Sequence, residues 1–401
     1  MTTTGHLKIE AHMVEKTSHQ IISGRMIWLD FLRLAAGVSI VGLHASSDPN
    51  GLPFPEFDTA RRVIPVLFRA VVYIARSELF WIISLFLLCL SLDLRPRSYM
   101  QMVRQQVRRL LVPFVFWVFF YAFFRLIKAH YFGYETAMWA ELSSGWSWLR
   151  YFILGSVQYH MHFLPTLFGL TLMYPLYRYA VQNPWLGVLV FLCLFVKREA
   201  DVWMWANLQG MDGFAYLVRA VKILTYGGYG MIAASFLGLA KQGMTEKRLR
   251  EWLVFSLIAS VLLFAIKLIY SYRVIMAGNW QYNYTPAYWS DFLMPVLLFL
   301  ICLSAGLARW PRFISTLSEY SFGLFLMHPI FLDGLEIMFS RPDISPAAFV
   351  LLKFFTAIIL TGSAAFIVSK IPLLSWTIGL GPLPFSRKGR KTGTYGTEMG
   401  V

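Results

Sequence analysis

Charged residues are scarce in this chain. They make up 14% of its 401 residues, whereas soluble globular domains contain roughly 25%. Hydrophobic residues make up 57% of the sequence and aromatic residues 17%. This composition excludes an ordinary soluble domain and indicates a protein of the lipid bilayer, with Trp and Tyr concentrated at the two water–lipid boundaries.

Cysteine and recognisable cofactor motifs are scarce as well. Cys89, Cys193 and Cys302 lie in three different apolar segments, without the paired spacing of a zinc or redox site. The two histidines of AHMVEKTSH (11–19) have no metal-ligand spacing, and no zincin motif, serine elbow or nucleotide fingerprint occurs. We therefore expect no metal and no tightly bound cofactor. Residues 1–26 are polar and lack the apolar region of a signal peptide, so we expect no cleavage there.

Ten apolar runs are long enough to cross a bilayer, for which a helix needs about 20 residues. They lack the alternation of a membrane β-barrel, so the sequence predicts an all-α polytopic membrane protein. We divide the chain into a cytoplasmic segment 1–26, a transmembrane domain 27–371 and a basic cytoplasmic tail 372–401. The predicted spans are 27–46, 66–92, 108–128, 161–181, 184–200 (the shortest), 215–239, 251–272, 288–308, 316–337 and 347–371.

Lysine and arginine are concentrated in alternate loops between these spans. Because positive charge marks the cytoplasmic side, the pattern predicts that both termini are cytoplasmic. The net charge of +15 therefore reflects membrane orientation, and the basic residues do not form the soluble basic face of a nucleic-acid-binding protein. The cations of the basic segments are Arg95, Arg97, Arg104, Arg108, Arg109, Lys241, Lys247, Arg248, Arg250, Arg387, Lys388, Arg390 and Lys391.

The first span, WLDFLRLAAGVSIVGLHASS, carries ionisable residues at both ends. Arg33 and His44 are eleven residues apart, which places them on nearly the same helix face and roughly 16 Å apart along the axis. Asp30 precedes Arg33 by three residues and is spaced to pair with it. Ionisable residues inside a span indicate function. The alternative is that Arg33 snorkels to the interface, His44 lies among the headgroups and Asp30 only neutralises Arg33.

LDFLRLAAGVSIVGLH resembles the first-helix signature of the acyltransferase-3 family of multipass integral-membrane O-acyltransferases, an arginine and a histidine separated by ten residues. Further segments follow in family order over about residues 25–371. The sequence departs from the family at Leu85, where a glycine usually follows the serine matched by Ser84, and at His162, where tryptophan usually precedes the phenylalanine. The further segments are ELFWIISLFLL (78–88), RQQVRRLLVPFVFW (104–117), HMHFLPTLFGLTLMYPL (160–176) and SEYSFGLFLMHPI (318–330).

The resemblance implies transfer of an acyl group, usually acetyl from acetyl-CoA, to a hydroxyl of a cell-surface or lipid-linked glycan. Histidine can deprotonate such a hydroxyl or carry the acyl group, so we assign His44 as general base or acyl carrier. Arginine binds phosphate or stabilises charge near the thioester, and we assign Arg33 to the donor. We expect the donor phosphates near Arg104, Arg108 and Arg109, for which membrane topology alone is the alternative explanation.

A buried carboxylate lies in the second span. Glu78 is predicted either to orient His44 or to be held protonated, and an ion pair with Arg76 or Arg69 is the alternative. On the acceptor side, the candidate supporting residues are His160, Ser84 and His328.

Other polar features have simpler interpretations. Lys222, Lys267 and Lys353 lie inside or beside spans, and we expect them to snorkel or to be paired. TYGGYG (225–230) lacks the strand and the lysine of a phosphate loop, so we interpret it as a site of close helix packing or a kink.

Two other functions compete with acyl transfer. One is a transporter or flippase for a lipid-linked sugar, which would use broken helices and charges near the bilayer centre. The other is a non-catalytic subunit of a polysaccharide export complex. The resemblance favours the acyltransferase, in a bacterial inner membrane, with acyl-CoA, a glycan or lipid-linked acceptor, and glycan-synthesis machinery as partners. Succinyl is a second acyl group that would suit a basic site.

Overall fold

A computed structural model describes residues 25–339 and 344–383, and every regular element in these ranges is helical. The predicted all-α class is therefore confirmed, while most of segments 1–26 and 372–401 lies outside the described residues. The helices are α1 Ile27–Ala45, α2 Thr59–Val72, α3 Ser77–Leu94, α4 Tyr99–Gln106, α5 Val112–Phe132, α6 Glu135–Ser143, α7 Gly145–Leu154, α8 Phe163–Leu172, α9 Tyr174–Gln182, α10 Leu189–Asn207, α11 Phe214–Gln242, α12 Glu246–Ala277, α13 Thr285–Ser304, α14 Phe313–Ser318, α15 Ser321–Met338 and α16 Pro346–Lys370.

Eight helical segments of the described chain are long and apolar enough to cross a membrane. The predicted count of ten is not reached by this measure, because the fourth and fifth predicted spans are built differently. Span 161–181 consists of the short helices α8 and α9, with Pro175 in the first turn of α9. Span 184–200 begins with a 3-10 turn, Pro184–Val188, before α10. The eight segments are α1, Thr59–Leu94, Tyr99–Phe132, α11, α12, α13, α15 and α16.

The predicted span 66–92 lies within the candidate span Thr59–Leu94, but it is not one continuous helix. α2 ends at Val72 and α3 begins at Ser77, and the connecting Arg76 has an extended backbone. The break brings the Arg76 guanidinium within 3.0 Å of the Asp291 carboxylate on α13. A partly buried ion pair with a residue distant in sequence thus accompanies the interruption, and an apolar run alone does not reveal it.

The helices define two faces of the bundle. We call the end where α1 begins the Arg33 face and the end where α1 finishes the His44 face. Asp93 at the end of α3 pairs with Lys241 at the end of α11 on the Arg33 face. On the His44 face, the beginning of α2 packs against the end of α12. The observed contacts therefore agree with the alternation of loops that the charge pattern predicts.

The TYGGYG segment packs tightly inside α11, as expected. A Cβ atom on Gly230 would lie 2.1 Å from Cζ of Tyr177, and one on Gly228 would lie 2.8 Å from Cβ of Cys193. These glycines let α9 and α10 approach the α11 backbone. The segment is a helix–helix contact and has no loop that cradles phosphate.

Candidate active site

One unbroken helix carries both Arg33 and His44. α1 spans both residues without interruption, and the expected pair of Arg33 with Asp30 is present, with 3.6 Å between Nη1 and Oδ1. Asp30 also accepts from Nε of Arg25 at 3.1 Å and from the Ser315 hydroxyl at 2.8 Å. Because other groups share the Asp30 carboxylate and 32% of the Arg33 side chain is exposed, the Arg33 guanidinium keeps donors free for a ligand.

Three histidines converge at the His44 face. The ring of His44 lies 5.5 Å from that of His328, and His328 lies 5.1 Å from His160, centroid to centroid. Tyr159 covers the group, with its ring 4.1 Å from that of His44. His160 and His328 are buried, whereas His44 is partly exposed. The structure thus brings together three of the predicted site residues, and His44 is the one among them that is partly exposed.

The nitrogen atoms of this cluster are incompletely bonded. Nδ1 of His328 lies 2.7 Å from the Phe325 carbonyl, so it donates that hydrogen bond and Nε2 carries the free lone pair. Neither Nε2 of His328 nor the two ring nitrogens of His160 has a hydrogen-bond partner in the described chain. The Leu326 carbonyl beside His160 accepts the Tyr121 hydroxyl at 2.5 Å. Buried nitrogens are usually satisfied, so this cluster is suited to a polar substrate group.

A network of alternating charges lies next to the histidines. Lys353 donates to Glu336 at 2.9 Å, and Lys128 binds both Glu336 and Asp333 at 2.7 Å. Gln158 donates to the other oxygen of Asp333 at 3.2 Å. Lys353 is therefore paired, as expected, and each carboxylate in the network has a cationic partner that offsets its desolvation.

This network connects the chain segments that carry the histidines. Lys353 also donates to the Ser47 carbonyl at 3.1 Å. Ser47, Gln158 and Asp333 each lie within five residues of one histidine of the cluster. Sequence analysis missed the network and the Tyr159 ring. The signal was the presence of Asp333 and Glu336 near the end of the predicted ninth span, because carboxylates there need cations from elsewhere in the fold.

Glu78 forms an ion pair with Arg76, which is the alternative to a role beside His44. Its carboxylate lies 3.1 Å from Nε of Arg76 and accepts from the Tyr226 hydroxyl at 3.3 Å. Arg69 instead donates to the Leu43 carbonyl at 3.1 Å, at the end of α1. The contacts of Glu78 do not include His44, and a catalytic part for Glu78 remains a prediction.

The predicted donor-binding arginines lie together on the Arg33 face. Arg108 and Arg109 belong to a π-helical turn, Val107–Leu111, between α4 and α5, and Arg104 is in the last turn of α4. All three are exposed, and within the described ranges none has a carboxylate within ion-pair distance. Arg109 is close enough to Arg33 for their charges to repel. The arrangement favours an anion there.

Two remaining expectations are less constrained. Ser84 is partly buried in the middle of α3, and the structure gives its side chain no contact with the histidine cluster. In the part of the chain that the structure describes, no group of three or more His, Cys, Asp or Glu side chains is arranged to hold a metal ion.

The sequence resemblance implies a bundle of apolar helices whose first helix carries the arginine and the histidine. A family model described as an acyltransferase domain, Acyl_transf_3, matches residues 26–385. The chain therefore belongs to the acyltransferase-3 family, and the resemblance seen in its sequence is confirmed. No curated protein matches the chain, and no solved structure does. The family and the apolar helices together define a multipass integral membrane acyltransferase.

Proposed function

We propose that the protein transfers an acyl group, by default acetyl from acetyl-CoA, to a hydroxyl of a cell-surface or lipid-linked glycan. The observation that supports this most directly is the pair of sites joined by α1. The partly exposed His44 lies among incompletely bonded histidines at one end of the helix. At the other end, Arg33 lies near unpaired arginines.

His44 carries the proton-transfer step of the proposed reaction. The acceptor hydroxyl gives its proton to the His44 imidazole while its oxygen attacks the thioester carbonyl. The C–S bond then breaks, and the departing thiolate takes a proton. In the alternative route, His44 attacks first and holds the acyl group until the hydroxyl displaces it. Both routes need the accessible imidazole. In this proposal Nε2 of His328 accepts a hydrogen bond from an acceptor hydroxyl, and a ring N–H of His160 donates to the acceptor or to the carbonyl oxygen.

The donor enters this scheme from the Arg33 face. Guanidinium groups bind phosphate through two parallel hydrogen bonds, and Arg104, Arg108 and Arg109 are exposed for this purpose. Arg33 then lies between these arginines and the bundle interior, where it stabilises the donor's charge. Under this proposal the Arg33 face is cytoplasmic, the protein lies in a bacterial inner membrane, and the acceptor comes from glycan-synthesis machinery.

One observation favours transport of a lipid-linked sugar as a second function. The break between α2 and α3 lies inside an apolar segment and contains charges, as transporter substrate sites do. Arg76 there pairs with Asp291, which also binds Lys267 at 2.7 Å. These cations are neutralised within the protein, whereas the arginines of the Arg33 face are not. Acyl transfer therefore accounts for more of the structure.

The decisive experiment compares surface glycans and lipids by mass spectrometry from wild type, a deletion strain and His44→Ala. We expect a constant mass increment in wild type that is absent from the deletion and reduced at least about 100-fold in His44→Ala. The increment identifies acetyl or succinyl directly. His130→Ala is the matched control, because this histidine is 80% exposed on the same face, and it should preserve the increment.

Two results would contradict this proposal, the first for acyl transfer itself and the second for the role of His44. A deletion that changes the amount of surface glycan without changing its mass would indicate transport. A His44→Ala strain with a complete increment would exclude His44 from the chemistry.

A further inference from the structure

Three lysines were expected to snorkel or to be paired, and one of them differs from the others. Lys267 binds Asp291 at 2.7 Å, and Lys353 binds Glu336 at 2.9 Å. Lys222, on α11, has no carboxylate within ion-pair distance in the described ranges. A cation inside a membrane bundle is costly unless it is compensated. Lys222 therefore lacks the direct ion pair that Lys267 and Lys353 have, and the carboxylate that attracts it, Glu78, is already paired with Arg76.

The groups in direct contact with the Lys222 ammonium are neutral, and the nearby Glu78 carboxylate lies beyond ion-pair distance and is paired with Arg76. Nζ lies 3.4 Å from Nε2 of His162, whose Nδ1 donates to the Tyr159 carbonyl at 2.7 Å. With its proton on Nδ1, His162 is neutral and accepts from Lys222 through Nε2. The rings of Trp81 and Tyr226 lie 5.5 and 5.4 Å from Nζ. These contacts orient the ammonium group and leave further N–H donors available.

A second cation without a carboxylate lies one turn earlier on the same helix. Arg219 donates to the Leu154 carbonyl at 2.9 Å, the His162 carbonyl at 3.1 Å and the Thr166 hydroxyl at 2.6 Å. Its Nε is buried without a hydrogen-bond partner in the described chain. Like charges three residues apart on a helix repel each other. Arg219 and Lys222 together thus form a positive site that a bound anion would stabilise.

This positive site adjoins the histidine cluster. His162, which contacts both cations, is two residues after His160, so their Cα atoms are at most about 7.6 Å apart. We propose that Arg219 and Lys222 bind an oxyanion, a phosphate or carboxylate group, of the acyl acceptor. This inference rests on the proposed function and extends it: the acceptor is anionic, and its charged group lies beside the histidines that receive its hydroxyl.

We assign the Arg219–Lys222 site to the acceptor, and not to the donor, because of its position in the bundle. Arg219 and Lys222 lie in the first third of α11, at the His44 face, whereas the arginines proposed for the donor phosphates lie at the opposite face. A lysine ammonium is a compact point charge, and an arginine guanidinium presents several donors in one plane. In this proposal Lys222 and Arg219 contact the oxyanion from two directions. An anion here would fix which acceptor hydroxyl reaches His44.

Thermal unfolding of the detergent-purified full-length protein tests the site without any acyl transfer. The probes are inorganic pyrophosphate, glucuronate and coenzyme A. We expect pyrophosphate or glucuronate to raise the unfolding temperature in a saturable way, and the effective probe distinguishes phosphate from carboxylate. Lys222→Gln should lower the affinity for the effective probe about tenfold, which corresponds to about 1.4 kcal/mol, because the substitution removes the ammonium charge. Lys222→Arg should retain it.

The control is Lys247→Gln, which removes the same charge from an 87% exposed side chain on the opposite face. It should respond as the wild type does. Equal responses from wild type and Lys222→Gln, or no response of the wild type to either oxyanion, would overturn the site. Loss of the coenzyme A response in Lys222→Gln would assign the cations to the donor and contradict the acceptor assignment.

The glycan assay then separates this inference from the proposed function. If acyl transfer occurs, Lys222→Gln should lower the acylated fraction of the glycan about tenfold, and Lys222→Arg should preserve it. Full acylation by Lys222→Gln would contradict the acceptor role while leaving His44 chemistry intact. If no strain acylates glycan, the proposed function fails, and the acceptor assignment that rests on it fails too, while oxyanion binding is still measured by thermal unfolding.

Discussion

Polar residues at the His44 face differ in how many of their hydrogen bonds and ion pairs are formed within the protein. Lys353 and Glu336 form a buried ion pair, whereas neither ring nitrogen of His160 has a hydrogen-bond partner in the described chain. Satisfied groups stabilise the fold, and unsatisfied groups are available to bind a ligand. The contrast separates residues that hold the site from residues that act in it.

Replacing Lys353 by methionine should destabilise the protein strongly. Its side chain is fully buried, and its removal leaves the Glu336 carboxylate with one cationic partner fewer. Breaking a buried ion pair from one side costs about 3–5 kcal/mol, which denaturant unfolding in detergent would measure. Lys353→Met combined with Glu336→Gln should recover part of this loss.

Lys247→Met is the comparison for that measurement. Lys247 forms an exposed pair with Glu251 at 4.0 Å, so its loss should change the free energy of unfolding by at most about 1 kcal/mol. If the Lys353 and Lys247 variants were equally stable, the buried network would not support the fold as described.

Residue spacing predicted local pairs better than distant ones. The Asp30–Arg33 pair follows from a three-residue spacing on one helix, and it is present. The sequence does not decide whether Glu78 pairs with Arg76 or with Arg69. The break after α2 places the Arg76 guanidinium beside Glu78. That Lys222 lacks a carboxylate depends on the packing of α11, and no spacing in the sequence shows it.

At the scale of whole elements, hydropathy predicts the helices but not their interruptions. The run 66–92 is apolar throughout most of its length, yet α2 and α3 are separate. Hydropathy reports the cost of exposing side chains to water, and it contains no information about a backbone break stabilised by contacts with α13. The same limit applies to 161–181, where α8 and α9 meet.

Helix contacts around α11 depend on the absence of side chains. Gly230→Ala would force a methyl group against the buried Tyr177 ring, and overpacking of this kind costs about 1–3 kcal/mol. Unfolding in detergent should show this loss. Gly362→Ala on α16 is the control, because nothing lies within 4 Å of its added methyl group, and it should be neutral or stabilising by up to about 1 kcal/mol. Equal stability of the two variants would contradict the close packing.

At the scale of the whole molecule, the described contacts sort the loops into two faces but do not assign either face to the cytoplasm. The positive-inside pattern makes that assignment, and it remains a prediction. It matters for function because the proposed donor is made in the cytoplasm and has to reach the Arg33 face.

Cysteine labelling tests the orientation. In a background with Cys89, Cys193 and Cys302 replaced by serine, single cysteines are introduced at Tyr282, 85% exposed on the His44 face, and at Lys247, 87% exposed on the Arg33 face. In intact cells, a membrane-impermeant maleimide should label Tyr282→Cys, and it should label Lys247→Cys only after the membrane is permeabilised. The reverse pattern would place the donor arginines outside and contradict the proposed donor route.

The continuity of α1 has a consequence for the size of the donor. Because α1 is unbroken, it holds Arg33 and His44 roughly 16 Å apart along the helix axis. On the proposed route, a donor anchored at the Arg33 face needs an arm at least as long as this distance to bring its acyl carbon to His44. Under this proposal, small acyl donors without such an arm, acyl phosphates among them, are too short to reach His44 from the Arg33 face, whatever their chemical reactivity.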